Sequence, residues 1–197
     1  MLDPIDGLVL AGGRSQRFGS DKRLARVGGQ ELVRRAVSKV LRAVSGTVFV
    51  ATGTRAERLP GTARAIVIRD APPNRGPLGG IAAGLERTTV GIVVLACDLP
   101  FVRPQTLHAV AASGRRAGRP AAVRRLAGWE PLVAYYPRSV LKDVRAAIHQ
   151  GALAPHRLLE KLGAVPVAAN DDEEFRNINT TADLEDIGAG RARRSTT

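Results

Sequence analysis

Residues 10–22 read Leu-Ala-Gly-Gly-Arg-Ser-Gln-Arg-Phe-Gly-Ser-Asp-Lys, and the apolar run before them, Ile5 to Ala11, has the composition of a buried strand. Two glycines at the end of a strand remove the Cβ atoms that would keep a ligand from the backbone. Free N–H groups in such a turn form a concavity that attracts anions. Arg14, Arg17 and Lys22 come next, two planar forks and a point charge suited to a polyphosphate. The stretch therefore reads as a nucleoside triphosphate site. A plain strand-to-loop turn with solvated arginines accounts for the glycines alone equally well. Neither GxxxxGK[ST] nor GxGxxG is present, so a phosphate site here needs another architecture.

Working outward, strand and helix patterns alternate. Leu32, Val33, Ala36, Val37, Val40, Leu41 and Val44 form one stripe at helical spacing within residues 31–44. Residues 47–51 and 65–68 read as short buried strands. Residues 70–80, Asp-Ala-Pro-Pro-Asn-Arg-Gly-Pro-Leu-Gly-Gly, read as a loop, with a helix over 81–87 behind it. The continuous apolar run of residues 91–97 predicts a central parallel strand covered on both faces. A helix over 104–112 comes after it, opened by Pro104. Strands at 121–124 and 132–136, helices near 139–150 and 155–162, a last strand at 165–168 and a short helix at 181–187 complete the order. The reading is a single domain over residues 1–187 and a basic, disordered tail over 188–197.

This alternation predicts an α/β fold with a mostly parallel sheet, and in such sheets ligands bind beyond the carboxyl ends of strands. The Gly12-Gly13 loop, Asp70 and Asp98 each come just after a predicted strand and should meet on one edge. Asp98 suits Mg²⁺, which takes one or two carboxylates beside phosphate and water oxygens, in preference to a helix cap because Pro104 is the better helix start. Asp70 suits a ribose hydroxyl, the metal or an ordinary Asx turn, and these remain open. Gly76, Gly79 and Gly80 would let the loop wrap a flat base, or line a surface loop with nothing bound. Trp129 and Glu130 border a second substrate or close a loop. Asn177 and Asn179 form a polar knot after the acidic run Asp171 to Glu174, bracing a turn or orienting a second substrate. His108, His149 and His156 lack metal-ligand spacing, and Cys97 reads as a small apolar residue. No side chain stands out as a nucleophile, and phosphoryl-type transfer requires none.

The whole chain sets further bounds. Its 197 residues suit one full core, built mainly from Ala, Val, Leu and Ile because aromatics make up only 4%. One cysteine excludes a disulfide framework. No apolar run approaches the ~18 residues of a membrane span, and no basic leader precedes a hydrophobic stretch, so a cytoplasmic protein without membrane contact is expected. The net charge of +12 would attract anionic substrates. The basic residues are overwhelmingly arginine in a chain rich in Ala and Gly, a pattern that codon drift also produces. Without alternating aromatics and cations, or helix-turn-helix or zinc-finger spacing, nucleic acid is disfavoured. A non-enzymatic basic binding domain is the competing class.

Four motifs stand in order: Leu10-Ala11-Gly12-Gly13 through Asp21-Lys22, Gly76-Pro77-Leu78-Gly79-Gly80-Ile81, Cys97-Asp98-Leu99-Pro100, and Asn177-Ile178-Asn179-Thr180. Together they resemble the molybdenum cofactor guanylyltransferases, the MobA type of nucleotidyltransferase, from Gly7 to about Ile187. The resemblance implies a three-layer, Rossmann-like nucleotidyltransferase fold with a mostly parallel mixed sheet. It implies Mg²⁺-dependent transfer of GMP from GTP to the phosphate of molybdopterin, with release of pyrophosphate. Leu10, Ala11, Gly12 and Gly13 would line the nucleotide, with Lys22 on its phosphates, where the residue types of Arg14 and Arg17 already point. Asp70 would contact the nucleotide, Asp98 would hold the metal, and Asn177 and Asn179 would face the pterin. Proteins that make or receive the molybdenum cofactor are the implied partners. Three positions depart from the family pattern: Ala51 where Asn is common, Thr181 where Pro is usual, and Glu130 where Gln is common. The first leaves the choice of base open, so CTP or another nucleotide, and another phosphate acceptor, stay as alternatives.

Overall fold

The computed structural model describes residues 4–12, 21–54, 56–169 and 171–185. In chain order these form β1 (Asp6–Leu10), β2 (Arg26–Val27), β3 (Gln30–Glu31), α1 (Leu32–Ala43), β4 (Val48–Ala51), β5 (Ile66–Ile68), α2 (Pro77–Leu85), β6 (Gly91–Ala96), α3 (Pro104–Ala117), β7 (Ala121–Arg125), β8 (Gly128–Pro137), α4 (Leu141–His149), α5 (Pro155–Lys161) and β9 (Val165–Ala168). Single 3-10 turns occupy Lys22–Leu24, Arg138–Val140 and Asp172–Phe175. No helix among the described residues is long and apolar enough to cross a membrane. Gly13, Arg14 and Arg17, the proposed domain edge at residue 187 and the 188–197 tail lie outside the described residues.

The main sheet runs in the order β5-β4-β1-β6-β8-β7-β9, with β2 and β3 paired separately. β5, β4, β1 and β6 are mutually parallel, β8 is antiparallel to both β6 and β7, and β9 returns parallel to β7. Register decides where the site can lie. Leu10 pairs with Ala51 on one side and Ala96 on the other, and Ala51 pairs with Ile68. Four strands thus end in one row, and the residues that leave them emerge on one edge. Main-chain bonds carry the row one step further: Ala11 N–H donates to Ala51 O, Cys97 N–H to Leu10 O, and Thr52 N–H to Ile68 O.

Alternation along the strands sends side chains to two cores. Val9, Val93, Leu95, Val133 and Tyr135 meet Val33, Val37 and Val40 of α1 and Leu107 and Val110 of α3. Leu8, Ile92, Val94, Ala134 and Tyr136 meet Leu78, Ile81 and Leu85 of α2, Val144 and Ile148 of α4, and Leu158 of α5. Each large aliphatic side chain so buried contributes ~1.5–3 kcal/mol of transfer free energy. A third cluster, Val27, Leu32 and Ile178, ties the β2–β3 ribbon to the C-terminal segment.

Boundaries differ from the sequence reading in instructive places. α2 begins at Pro77, so the last part of the expected 70–80 loop is helical. Pro is at home in a first turn, and Gly79 and Gly80 are buried there against other chain segments. α3 continues to Ala117, past Gly114, and stops at Gly118 in the left-handed region. A Cβ on Gly114 would sit 2.3 Å from Cδ1 of Tyr135, so packing requires glycine inside this helix. β8 starts at Gly128, taking Trp129 and Glu130 into the strand, with a register shift opposite Ala122 and Val123. The small β2–β3 ribbon had no signal long enough to read. Residues 181–185 are helical, as expected for the last helix.

The loop after β6 is fixed from the side of α1. The half-buried Lys39 donates through Nζ to both Pro100 O and Val102 O. Burial, reinforced by repulsion from Arg35 and Arg42, pushes its ammonium down from the ordinary 10.5 to about 8. A neutral amine retains two N–H groups, enough for both carbonyls.

Two outcomes are expected. Gly114→Ala should lower the unfolding free energy, read by urea titration, by about 1–3 kcal/mol through overpacking, although helix propensity alone would raise it by about 1 kcal/mol; a stabilised variant would refute the close packing on Tyr135. Lys39 should titrate near pH 8 by its ¹³Cε shift in NMR. The unfolded chain keeps this proton up to about pH 10.5 while the fold releases it, so the Lys39 contribution to stability rises with pH across that window. Lys39→Met should abolish this rise, and a difference from wild type that stays constant between pH 8 and pH 10 would contradict it.

Candidate active site

Four loops leave the aligned strand ends, and three bring charged groups together. Lys22 comes directly after Asp21, which caps the 3-10 turn by accepting from Arg23 N–H at 3.0 Å. Arg23 grips Asp21 with Nη2 at 2.6 Å from Oδ2 and also reaches Glu57 at 3.0 Å. These bonds hold the Arg23 guanidinium above its ordinary range and the Asp21 carboxyl below its own. They also fasten the chain on either side of Lys22 to the loop after β4. Lys22 Nζ then reaches Asp98 Oδ2 and Asn179 Oδ1, each at 2.8 Å. Residues separated by 76 and 157 positions thus meet at one ammonium. The Lys22 and Asp98 side chains are 16% and 29% exposed, open enough for an incoming anion to compete for the lysine. Next to Asp98, burial pushes the Cys97 thiol up to about 12, leaving it an inert packing group.

Asp70 occupies the other end of the row. Its Oδ1 accepts from Gly53 N–H at 3.1 Å, and its own N–H donates to Gly53 O at 2.9 Å. Burial raises its carboxyl above the usual range, partly opposed by the Gly53 bond. A Cβ on Gly80 would lie 2.5 Å from Leu10 Cδ2, and one on Gly79 2.5 Å from Pro72 O. The glycine pair therefore faces inward, letting the first turn of α2 close on Asp70 and the ends of β1 and β4. Gly12 is exposed, and a Cβ on it would come 3.0 Å from Gly53 N. Its bareness lets the first loop lie directly against the turn after β4.

Strand order narrows the readings of Asp70. It lies beyond β5 and Asp98 beyond β6, with β4 and β1 between them. Three strand spacings of ~4.8 Å separate the two carboxylates by roughly 14 Å. At that separation they would not share one metal ion, while the bond that Asp70 accepts from Gly53 N–H is also what a turn residue would make. The side chains of Leu10 and Ala11 are buried at this edge. Asn179 is brought to Lys22, while Asn177 is exposed two residues earlier.

The departures from the family pattern have local partners. Glu130 pairs with Arg125 Nη1 at 2.5 Å, and Arg125 also holds Asp172 at 2.8 Å and lies over the Phe175 ring. A charged residue at 130 thus has a charged partner that glutamine would not neutralise. Ala51 is buried in β4, and the first side chain beyond the strand is that of Thr52, whose hydroxyl reaches Ile68 O and Glu57 N at 3.4 Å. Sequence reasoning missed Lys39, Arg23 and Glu174 as supports of this edge. Nothing in their spacing separates them from the many other charged residues.

Comparison with known proteins agrees with this architecture. The MobA-like NTP transferase domain matches residues 7–166. A molybdenum cofactor guanylyltransferase of Pseudomonas paraeruginosa is 33% identical over 183 residues, covering 91% of this chain and 92% of that protein. The solved structure of molybdopterin-guanine dinucleotide biosynthesis protein A from Archaeoglobus fulgidus superposes with a TM-score of 0.81 at 28% identity, covering 96% of this chain and all of that one. Rv0371C of Mycobacterium tuberculosis, solved in complex with manganese, shares the fold with a TM-score of 0.70 at 20% identity, covering 95% of this chain and 98% of its own. A family match over most of the chain, together with strand ends that gather Lys22, Asp98 and Asn179, leads to one assignment: this chain belongs to the MobA-like NTP transferase family and is a nucleotidyltransferase.

Proposed function

We propose that this enzyme transfers GMP from GTP to the phosphate of molybdenum-bearing molybdopterin and releases pyrophosphate. The observation that carries the reading is the meeting of Lys22, Asp98 and Asn179 at the ends of β1 and β6. The names of the similar guanylyltransferases support the choice of substrates. We assign the base and ribose to the Asp70–Gly53 end of the row and the triphosphate to the bare backbone of Ala11 and Gly12. The acceptor then approaches from the Asn177–Asn179 side. We place the reaction in the cytoplasm, with proteins that make or receive the molybdenum cofactor as partners.

A divalent cation fits this edge in one way. Among the described residues no group of three or more His, Cys, Asp or Glu side chains converges. Asp98 would hold the ion through its carboxylate, with phosphate and water oxygens completing the shell, as Mg²⁺ beside nucleotides commonly is held. When bound, Mg²⁺ supplies charge neutralisation on the phosphates. The acceptor phosphate oxygen attacks the α-phosphorus in line, and the bond from that phosphorus to the bridging oxygen of the β-phosphate breaks. Lys22 exchanges Asp98 and Asn179 for the triphosphate and donates hydrogen bonds to the pyrophosphate as its charge grows. We assign Arg14 and Arg17, from their residue type and place in the sequence, to the same phosphates. No protein nucleophile takes part.

Asp98→Ala and Lys22→Ala should each lower pyrophosphate release by about 10²–10³-fold, the usual cost of losing a charge stabiliser. Each variant should remain folded, which circular dichroism and a cooperative thermal transition would verify. Full turnover in either variant would remove that residue from the site. GTP with Mg²⁺ at 100 times its dissociation constant should stabilise the protein by about 2.7 kcal/mol. A larger shift with CTP or UTP would reassign the nucleotide, the alternative that Ala51 leaves open.

A further inference from the structure

Residues 171–185 lie across the site edge, and one buried carboxylate fastens them. The first residue before α3, Arg103, gives that helix no side-chain cap. Glu174 caps it from the other end of the chain. Its Oε2 accepts from Arg103 N–H at 3.1 Å and from the Thr106 hydroxyl at 2.6 Å, while Arg103 Nε lies 3.2 Å from Oε1. Glu174 is only 3% exposed, so its carboxyl oxygens depend on these donors for their hydrogen bonds. The neighbouring pairs Asp171–Arg103 and Asp172–Arg125 lie at the surface and hold far less strongly.

Four residues beyond Glu174, Ile178 N–H donates to Asp98 O at 3.0 Å. The Ile178 side chain is fully buried against Val27 and Leu32. Two short segments, 98–103 and 174–178, are therefore joined at both ends: Asp98 to Ile178, and Arg103 to Glu174. They form a closed ring, and Lys39 braces its 98–103 side from α1 through Pro100 O and Val102 O. Asn179 projects from one corner of the ring onto Lys22, and Asp98 is that corner's partner. On the far side, Asp183 Oδ2 accepts from the N–H groups of Asn179 and Thr180 and fixes the exit of the segment.

We propose that Glu174 is a positioning residue for the acceptor half of the reaction, holding the Asn177–Asn179 wall in register with Asp98 without touching either substrate. The inference rests on the proposed function. Its distinguishing consequence comes from geometry. The nucleotide floor is built on β1, β4 and β5 by Gly12, Gly53 and Asp70, none of which contacts the ring through Glu174. Loosening the ring should therefore spare the base and ribose end of the nucleotide site and impair use of the acceptor, with any slack given to Asp98 and Lys22 read in kcat.

Glu174→Ala and Glu174→Gln, in the full chain, test this by steady-state kinetics with GTP and molybdopterin varied separately. Glu174→Ala should raise the molybdopterin KM or lower kcat by about 10–100-fold, the scale expected for misplacement by about 1 Å, with the GTP KM within about twofold of wild type. Glu174→Gln keeps an oxygen for Arg103 N–H and Thr106 and should restore most of the loss. A purely structural role would lower the thermal midpoint and leave both KM values alone, or shift them together; either result overturns the proposal. Should Glu174→Ala not fold, Thr106→Val removes one of the same bonds and must show the same split in milder form. A wild-type enzyme that moves no GMP to molybdopterin refutes the proposed function itself and takes the inference with it.

Discussion

The ammonium of Lys22, held between the Asp98 carboxylate and the Asn179 amide oxygen, is the interaction on which the rest of the site depends. It closes three distant parts of the chain on one point, and it can do so only because the parallel strands end in step. Leu10, Ala51, Ile68 and Ala96 stand in one row, so the loops leaving these strands are delivered to the same edge. The edge is graded along that row. Asp70 and Gly53 form a partly desolvated polar end, Gly12 a bare backbone floor, and Lys22 with Asp98 a charged end where a polyphosphate would replace one ion pair with another.

Much of this was legible in the residues, for physical reasons. The apolar runs of β1 and β6 have to be buried on both faces, which identified the sheet centre and put Asp98 and the first loop at its carboxyl edge. The α1 stripe at helical spacing identified the helix that covers one face. Less legible were features decided by contacts distant in sequence. Pro77-Leu78-Gly79-Gly80 reads locally as loop, but becomes the first turn of α2 because Leu10, Ala51, Pro72 and Asp70 leave room there only for hydrogen atoms. The sequence reading ends the helix at residue 112, yet α3 continues past Gly114, which Tyr135 from a neighbouring strand requires to be glycine. Asp70 reads in the sequence as ribose ligand, metal ligand or turn residue, and its place three strands from Asp98 speaks only against a metal shared by the two.

Support for the site was the least visible part. Lys39 and Glu174 resemble any surface lysine or acidic residue in the sequence, and each is revealed only by its contacts: two carbonyls after Asp98 for one, the first turn of α3 for the other. Together they turn the loop that carries Asp98 into a frame fixed on both sides. A preorganised frame suits a reaction in which the protein contributes position and charge and no covalent chemistry.

The most direct test is a structure of the complex with Mg²⁺ and a GTP analogue that resists cleavage between the α- and β-phosphates. The account predicts the triphosphate against the main chain of Gly12, Lys22 Nζ moved from Asp98 to the phosphates, and the ribose or base within hydrogen-bonding reach of Asp70. A nucleotide bound elsewhere, with the Lys22–Asp98 pair intact, would contradict it.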